Sequence, residues 1–144
     1  MSRIMHSAAF VAACLLATPA FAEELAGPYS ADVLRVLDGD TVEVKVHLWL
    51  GLDQTILVRV AGIDVPELKG RCPGEPEAAA AARDHLAKRI GAGVVWVSAV
   101  RRDKFGGRVV AAIRLSSGED VAAIMLAAGH ARATTDGRVS WCLP

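Results

Sequence analysis

Residues 33–44 read VLRVLDGDTVEV. Valine and leucine alternate with polar residues on both sides of Asp38-Gly39-Asp40, the pattern of two half-buried strands joined by a tight turn. Upstream, residues 31–37 read as one strand. Downstream, the alternation runs from Thr41 to Leu50, with Val42, Val44, Val46, Leu48 and Leu50 on one face. Thr41, Glu43, Lys45, His47 and Trp49 occupy the other. A hairpin turn needs glycine and one polar residue. A second acid directly at the start of the returning strand asks for another explanation.

The chain continues in the same style. After the turn GLDQ, the segment TILVRVAGI (55–63) reads as a third strand with Ile56, Val58 and Val60 facing one way. The alanine-rich stretch from about Glu75 to Ile90 has acids early and bases late, as a helix macrodipole favours. Gly91 and Gly93 follow it and stop it. VVWVSAV (94–100) and RVVAAIRL (108–115) read as two more strands around the turn RDKFGG. A second helix is expected at roughly Glu119 to Ala128, ended by Gly129. The tail ATTDGRVSWCLP has no periodicity. Three strands, a helix, two strands and a helix suit a small twisted barrel with helices packed on it, and an oligonucleotide-binding (OB) barrel is one such architecture.

The first residues read as a leader. MSRIMH is short and mildly basic, SAAFVAACLLATPAFA is apolar, and Ala20-Phe21-Ala22 is a small-x-small cleavage pattern. Together they read as a secretory signal peptide over residues 1–22, with 23–144 as one domain and an exported, periplasmic or extracellular destination. VAAC, ending at Cys14, is a looser match to a lipoprotein acylation box. The chain has 16 basic and 16 acidic residues, and of the basic ones only Arg3 lies in the leader. Residues 23–144 therefore carry a net charge of about −1, so a broad electrostatic grip on nucleic acid is not evident and any anion site must be local.

Beyond the leader the cysteines are Cys72 and Cys142. In an exported chain, two cysteines most simply form one disulfide. A zinc site lacks ligands: there is no C-x-x-C, and His47, His85 and His130 show no metal spacing. Those histidines read as exposed or partly packed.

Packing does not explain Arg59, which interrupts an apolar strand, or the acids of AGIDVPEL, where Asp64 and Glu67 flank Val65-Pro66. In an antiparallel pair the start of one strand lies near the end of its partner. Asp40, Asp64 and Glu67 could then converge at one end of the barrel, with Arg59 a short way down the strand. Like charges gathered in this way need a cation, and hard oxygen donors suit Ca²⁺ or Mg²⁺. A cation beside an arginine can stabilise the charge that builds on a phosphorus under attack.

VLDGDTVEV, VRVAGIDVPEL and RDKFGGRVVAAI, in this order, resemble the staphylococcal nuclease (thermonuclease) family, from about Val33 to Arg132. The middle motif is the most specific: an arginine, an aspartate five positions on, then x-Pro-Glu. The resemblance implies a five-stranded OB-fold barrel with two or so helices. It also implies a monomeric, Ca²⁺-dependent nuclease that hydrolyses DNA and RNA phosphodiesters to 3′-phosphate ends. Asp40 and Asp64 match the carboxylate ligands of one Ca²⁺ ion, and Val65 matches a ligand that acts through its backbone carbonyl. Glu67 matches the general base, Arg59 and Arg108 the two phosphate-binding arginines, and Lys104 and Phe105 substrate contacts.

The sequence departs from the family pattern in three places. RDKFGGR has one glycine more than usual, so Arg108 reaches the site only if Gly107 is absorbed in a bulge, because a one-residue slip turns a side chain to the opposite face. Phe105 replaces a tyrosine, keeping the ring and losing the hydroxyl. Tyr29 is the only tyrosine, and the later tyrosines and the final helix of the family have no counterpart; Trp141 is a candidate for stacking on a base. Two other readings remain open on sequence grounds: a nucleic-acid-binding module without catalysis, and an exported domain with a purely structural Ca²⁺.

Overall fold

The computed structural model describes residues 23–134 and 140–142. The expected signal peptide, Cys14 and part of the tail lie outside the described residues. The elements in chain order are β1 (Glu24–Leu25), β2 (Tyr29–Asp38), β3 (Thr41–Trp49), β4 (Leu52–Val60), β5 (Ile63–Asp64), α1 (Glu75–Ile90), β6 (Val94–Arg102), β7 (Arg108–Leu115), α2 (Val121–Ala127) and β8 (Arg132–Ala133).

The barrel follows from the pairing of these strands. β2, β3 and β4 form an antiparallel meander. β6 pairs antiparallel with both β2 and β7, and β7 returns parallel to β4. The circuit β2-β3-β4-β7-β6 closes on itself, giving a five-stranded barrel of the OB type, while β1 adds to β6. Closure requires bent strands. The register slips twice between β2 and β3, and once between β6 and β7 where Ala99 takes φ 51°. Bulges of this kind raise local twist and curve a sheet.

The interior is built largely from valine. Val33, Val42, Val44, Val46, Val58, Val60, Val95 and Val97 are buried together with Ala111 and Ile113. Their branched side chains suit a pleated, close-packed surface. Ala82, Leu86 and Ile90 of α1 and Val121 and Met125 of α2 join the same core. No helix among the described residues is long and apolar enough to cross a membrane.

The helix α1 has the expected bounds, with Glu75 and Glu77 in its first turn and Lys88 and Arg89 in its last. The second helix is shorter than expected. Glu119 lies outside it, and Asp120 is its N-cap, accepting the Ala123 N–H at 3.1 Å. The third strand also differs: it starts earlier, at Leu52, and stops at Val60. Ala61-Gly62 turns the chain, with Gly62 at φ +80°, where a side chain would be strained. Ile63–Asp64 then forms a separate ribbon with Arg132–Ala133. Asp64 therefore does not end the strand that carries Arg59. The strand β3 ends at Trp49, and Leu50, expected on its buried face, is 93% exposed.

The expected disulfide is present. Cys72 and Cys142 are bonded, with Cα atoms 5.7 Å apart.

Candidate active site

The turn between β2 and β3 places the first acid. Gly39 is there because of space: a Cβ on it would lie 2.7 Å from the Ala82 Cβ of α1 and 3.4 Å from Val65 Cγ1. The hairpin, the helix and the Val65 segment thus meet at one glycine, and Asp40 beside it is 6% exposed. The Asp40 carboxylate accepts the Thr41 hydroxyl at 2.8 Å and the Arg59 Nε–H at 2.9 Å. Arg59 reaches it because Thr41 and Arg59 are cross-strand partners in β3 and β4.

Asp64 comes from the β5–β8 ribbon. Its Oδ1 lies 3.6 Å from Arg59 Nη2, so one guanidinium touches both acids. Its Oδ2 accepts the Trp141 indole N–H at 3.1 Å. Burial works against the charge on Arg59, but the Asp40 charge and hydrogen bond and the Asp64 charge hold its pKa above the ordinary value. Asp38 faces the same space. Burial, and next the charge of Asp40, push its carboxyl above the usual range.

Arg108 opens β7. The additional glycine, Gly107, sits at φ +76° with open space around it, and Arg108 after it lines the same cleft as Arg59. It forms a short ion pair with Asp103, whose side chain is 5% exposed. Burial alone would raise Asp103; the Arg108 hydrogen bond and charge outweigh it and hold the carboxyl below the usual range. The Phe105 ring lies 5.1 Å from Lys104 Nζ and 5.1 Å from Arg108 Cζ, within cation–π reach of both.

Glu67 is exposed at the mouth, just past Val65-Pro66. Its backbone N–H donates to Glu75 Oε1 at 3.2 Å, and Glu75 Oε2 accepts the Arg71 N–H at 2.9 Å. Gly70 permits this contact, since a Cβ there would lie 2.6 Å from Glu75 Cβ. Asp40, Arg59, Asp64, Val65, Glu67, Lys104, Phe105 and Arg108 all border one open cleft of about 620 Å³.

The cleft therefore joins carboxylates, two guanidiniums and an exposed glutamate. Two carboxylates already share one positive charge through Arg59, so the position favours a cation, and its donors are hard oxygens. The residues present fit Ca²⁺ in that respect. Among the described residues, the one group of three metal-ligating side chains brought close together is Cys72, Glu75 and Cys142. Its sulfurs are spent in the disulfide, so it is a structural joint and not a metal centre.

Three participants escape a reading of the sequence. Asp103 is visible only as a turn acid in RDKFGG, Glu75 only as a helix-start acid, and Trp141 only as a candidate stacking residue. The histidines lie elsewhere. His47 bridges Asp53 and Asp32 at 2.9 and 3.2 Å, and the rings of His85 and His130 are 4.7 Å apart.

Comparison with known proteins gives the family. Residues 57–140 match the model of the family described as staphylococcal nuclease homologue. The chain is also similar to a protein named micrococcal nuclease from Shigella flexneri. The two are 32% identical over 134 residues, covering 88% of this chain and 68% of that protein.

Proposed function

This chain belongs to the staphylococcal nuclease homologue family, and we propose that it is a Ca²⁺-dependent phosphodiesterase hydrolysing DNA and RNA with little sequence preference. The observation that carries the proposal is the Arg59 guanidinium held between Asp40 and Asp64 in a cleft that Glu67 and Arg108 also line. A binding module has no use for a glutamate lining the cleft beside a cation position. A structural Ca²⁺ site has no use for two arginines.

Asp40, Asp64 and the Val65 carbonyl would hold Ca²⁺, which when bound supplies positive charge to a phosphate and orients it. The chain's own groups carry the remaining work. Glu67 accepts a proton from the attacking water. Arg59 and Arg108 donate to the phosphate oxygens, whose charge grows as the fifth bond to phosphorus forms. The leaving group departs from the 5′ side, so the phosphate stays on the 3′ end, as the family resemblance implies. Lys104 and Phe105 flank the strand at the mouth. The Ala-rich leader with its Ala20-Phe21-Ala22 pattern supports export, and a monomer suffices for every group named.

Glu67→Gln tests the proposal. We expect the variant to melt like the parent and to lose about 10²–10⁴-fold in the rate of hydrolysis of single-stranded DNA. Full activity in this variant removes Glu67 from the reaction. On gels, Ca²⁺-dependent degradation of DNA and RNA supports the enzyme, and retarded but intact nucleic acid overturns it in favour of a binding module.

A further inference from the structure

We propose that Trp141, locked in place by the Cys72–Cys142 disulfide, is a positioning residue that fixes the Asp64 carboxylate for the cation; this rests on the reading of Asp64 as a Ca²⁺ ligand.

The two Asp64 oxygens have different neighbours. Oδ2 accepts the Trp141 indole N–H at 3.1 Å, while Oδ1 faces Arg59 at 3.6 Å. One oxygen is thereby tied down and the other is presented to the cleft. Asp64 ends a strand of two residues, and among the described residues the Trp141 N–H is the hydrogen bond its side chain accepts. Hydrogen bonds to the far atom of a metal ligand orient it, and their loss typically weakens the metal by about 10–100-fold.

The indole itself is clamped. Arg132 lies over its ring at 4.1 Å and donates to the Ser140 carbonyl at 2.7 Å. Arg132 also pairs with Asp64 in the β5–β8 ribbon. The next residue, Cys142, is bonded to Cys72. Cys72 in turn precedes Glu75, whose carboxylate holds the Glu67 N–H. The disulfide thus joins the support of Asp64 to the support of Glu67. It is the covalent cross-link that ties residues 140–142 to the segment leading into α1.

The test is isothermal titration of Ca²⁺ into four proteins: the parent, Trp141→Phe, Cys72→Ser with Cys142→Ser, and the variant combining all three substitutions. Melting curves without Ca²⁺ are recorded beside them. Phenylalanine keeps a ring under Arg132 and removes the N–H. We expect Trp141→Phe to weaken Ca²⁺ about tenfold with little change in melting temperature. The cysteine-free variant should lose a similar factor. Because the two act in series, the combined variant should lose no more than the worse of them. Unchanged affinity in Trp141→Phe overturns the inference, as does a multiplicative loss in the combined variant. Should the cysteine-free protein fail to fold, Trp141→Phe decides alone. Asp64→Asn separates the underlying reading: loss of Ca²⁺ binding there, with Trp141→Phe unaffected, leaves the metal site standing and removes the positioning role. Retained Ca²⁺ binding in Asp64→Asn removes both.

Discussion

Arg59 Nε lies 2.9 Å from Asp40 Oδ2, and the same guanidinium reaches within 3.6 Å of Asp64 Oδ1. The arginine offsets part of the repulsion between the two acids and keeps them in one place. Lysine offers a single compact charge and cannot span both. Arg59→Lys should therefore stay folded and lose about 10²–10³-fold in the rate of phosphodiester hydrolysis. Steady-state kinetics at saturating Ca²⁺ check this, and a rate within threefold of the parent would show that the span is unimportant.

Asp103 does for Arg108 what Asp40 does for Arg59. Its folded pKa is depressed, so its contribution is present above the ordinary value of 3.8 and lost as pH falls through the folded value. Asp103→Asn should destabilise the protein by about 2 kcal/mol at neutral pH. The difference from the parent should shrink in acid. Urea midpoints measured across that range decide it, and a pH-independent difference counts against an ionic origin.

Gly39 gives a steric prediction. An alanine there would press its Cβ to 2.7 Å from Ala82 Cβ, in a place where Ala82 is fully buried. Gly39→Ala should cost about 1–3 kcal/mol by overpacking. Ala82→Gly alone should cost about 1 kcal/mol through helix propensity. Combined, the pair should be more stable than Gly39→Ala alone, because the second change removes the clash. If the two effects simply add, the helix contact is not the reason for this glycine.

His47 gives the opposite pH sign. The Asp53 hydrogen bond is the largest influence on it; desolvation works against the charge, the Asp32 and Asp53 charges support it, and the net direction is up from 6.5. Its stabilising pair with Asp53 is complete below 6.5 and fades as pH rises through the folded value. The melting-temperature gap between the parent and His47→Gln should be widest in mild acid and close in mild alkali. A gap that is flat across this range would remove the ionic pairing.

The elements that sequence made legible are those whose signals are local. Alternating valines mark the strands, charge order marks α1, and the spacing from Arg59 to Glu67 carries the site motif. The break at Ala61-Gly62 was hidden because apolar alternation continues across it into Ile63. Only the ribbon with Arg132–Ala133 reveals that Asp64 belongs to another sheet. Trp141 was unreadable for a related reason. Its partner lies 77 residues away, and a tail without periodicity gives no face on which to place a side chain. Asp103 and Glu75 act through tertiary contacts that leave no mark in the sequence, where turn chemistry and helix charge already account for both acids.

The parallel seam between β4 and β7 has a consequence for how the chain acquires its shape. Leu57 meets Arg108 and Val60 meets Ala111, with α1 and β6 synthesised in between. Until that seam forms, the meander presents the naked flank of β4 to any other unfinished copy. Contacts so remote in sequence are slow to find each other. Crowded nascent chains should therefore clump through this flank, and dilution during renaturation should raise the yield of sound protein.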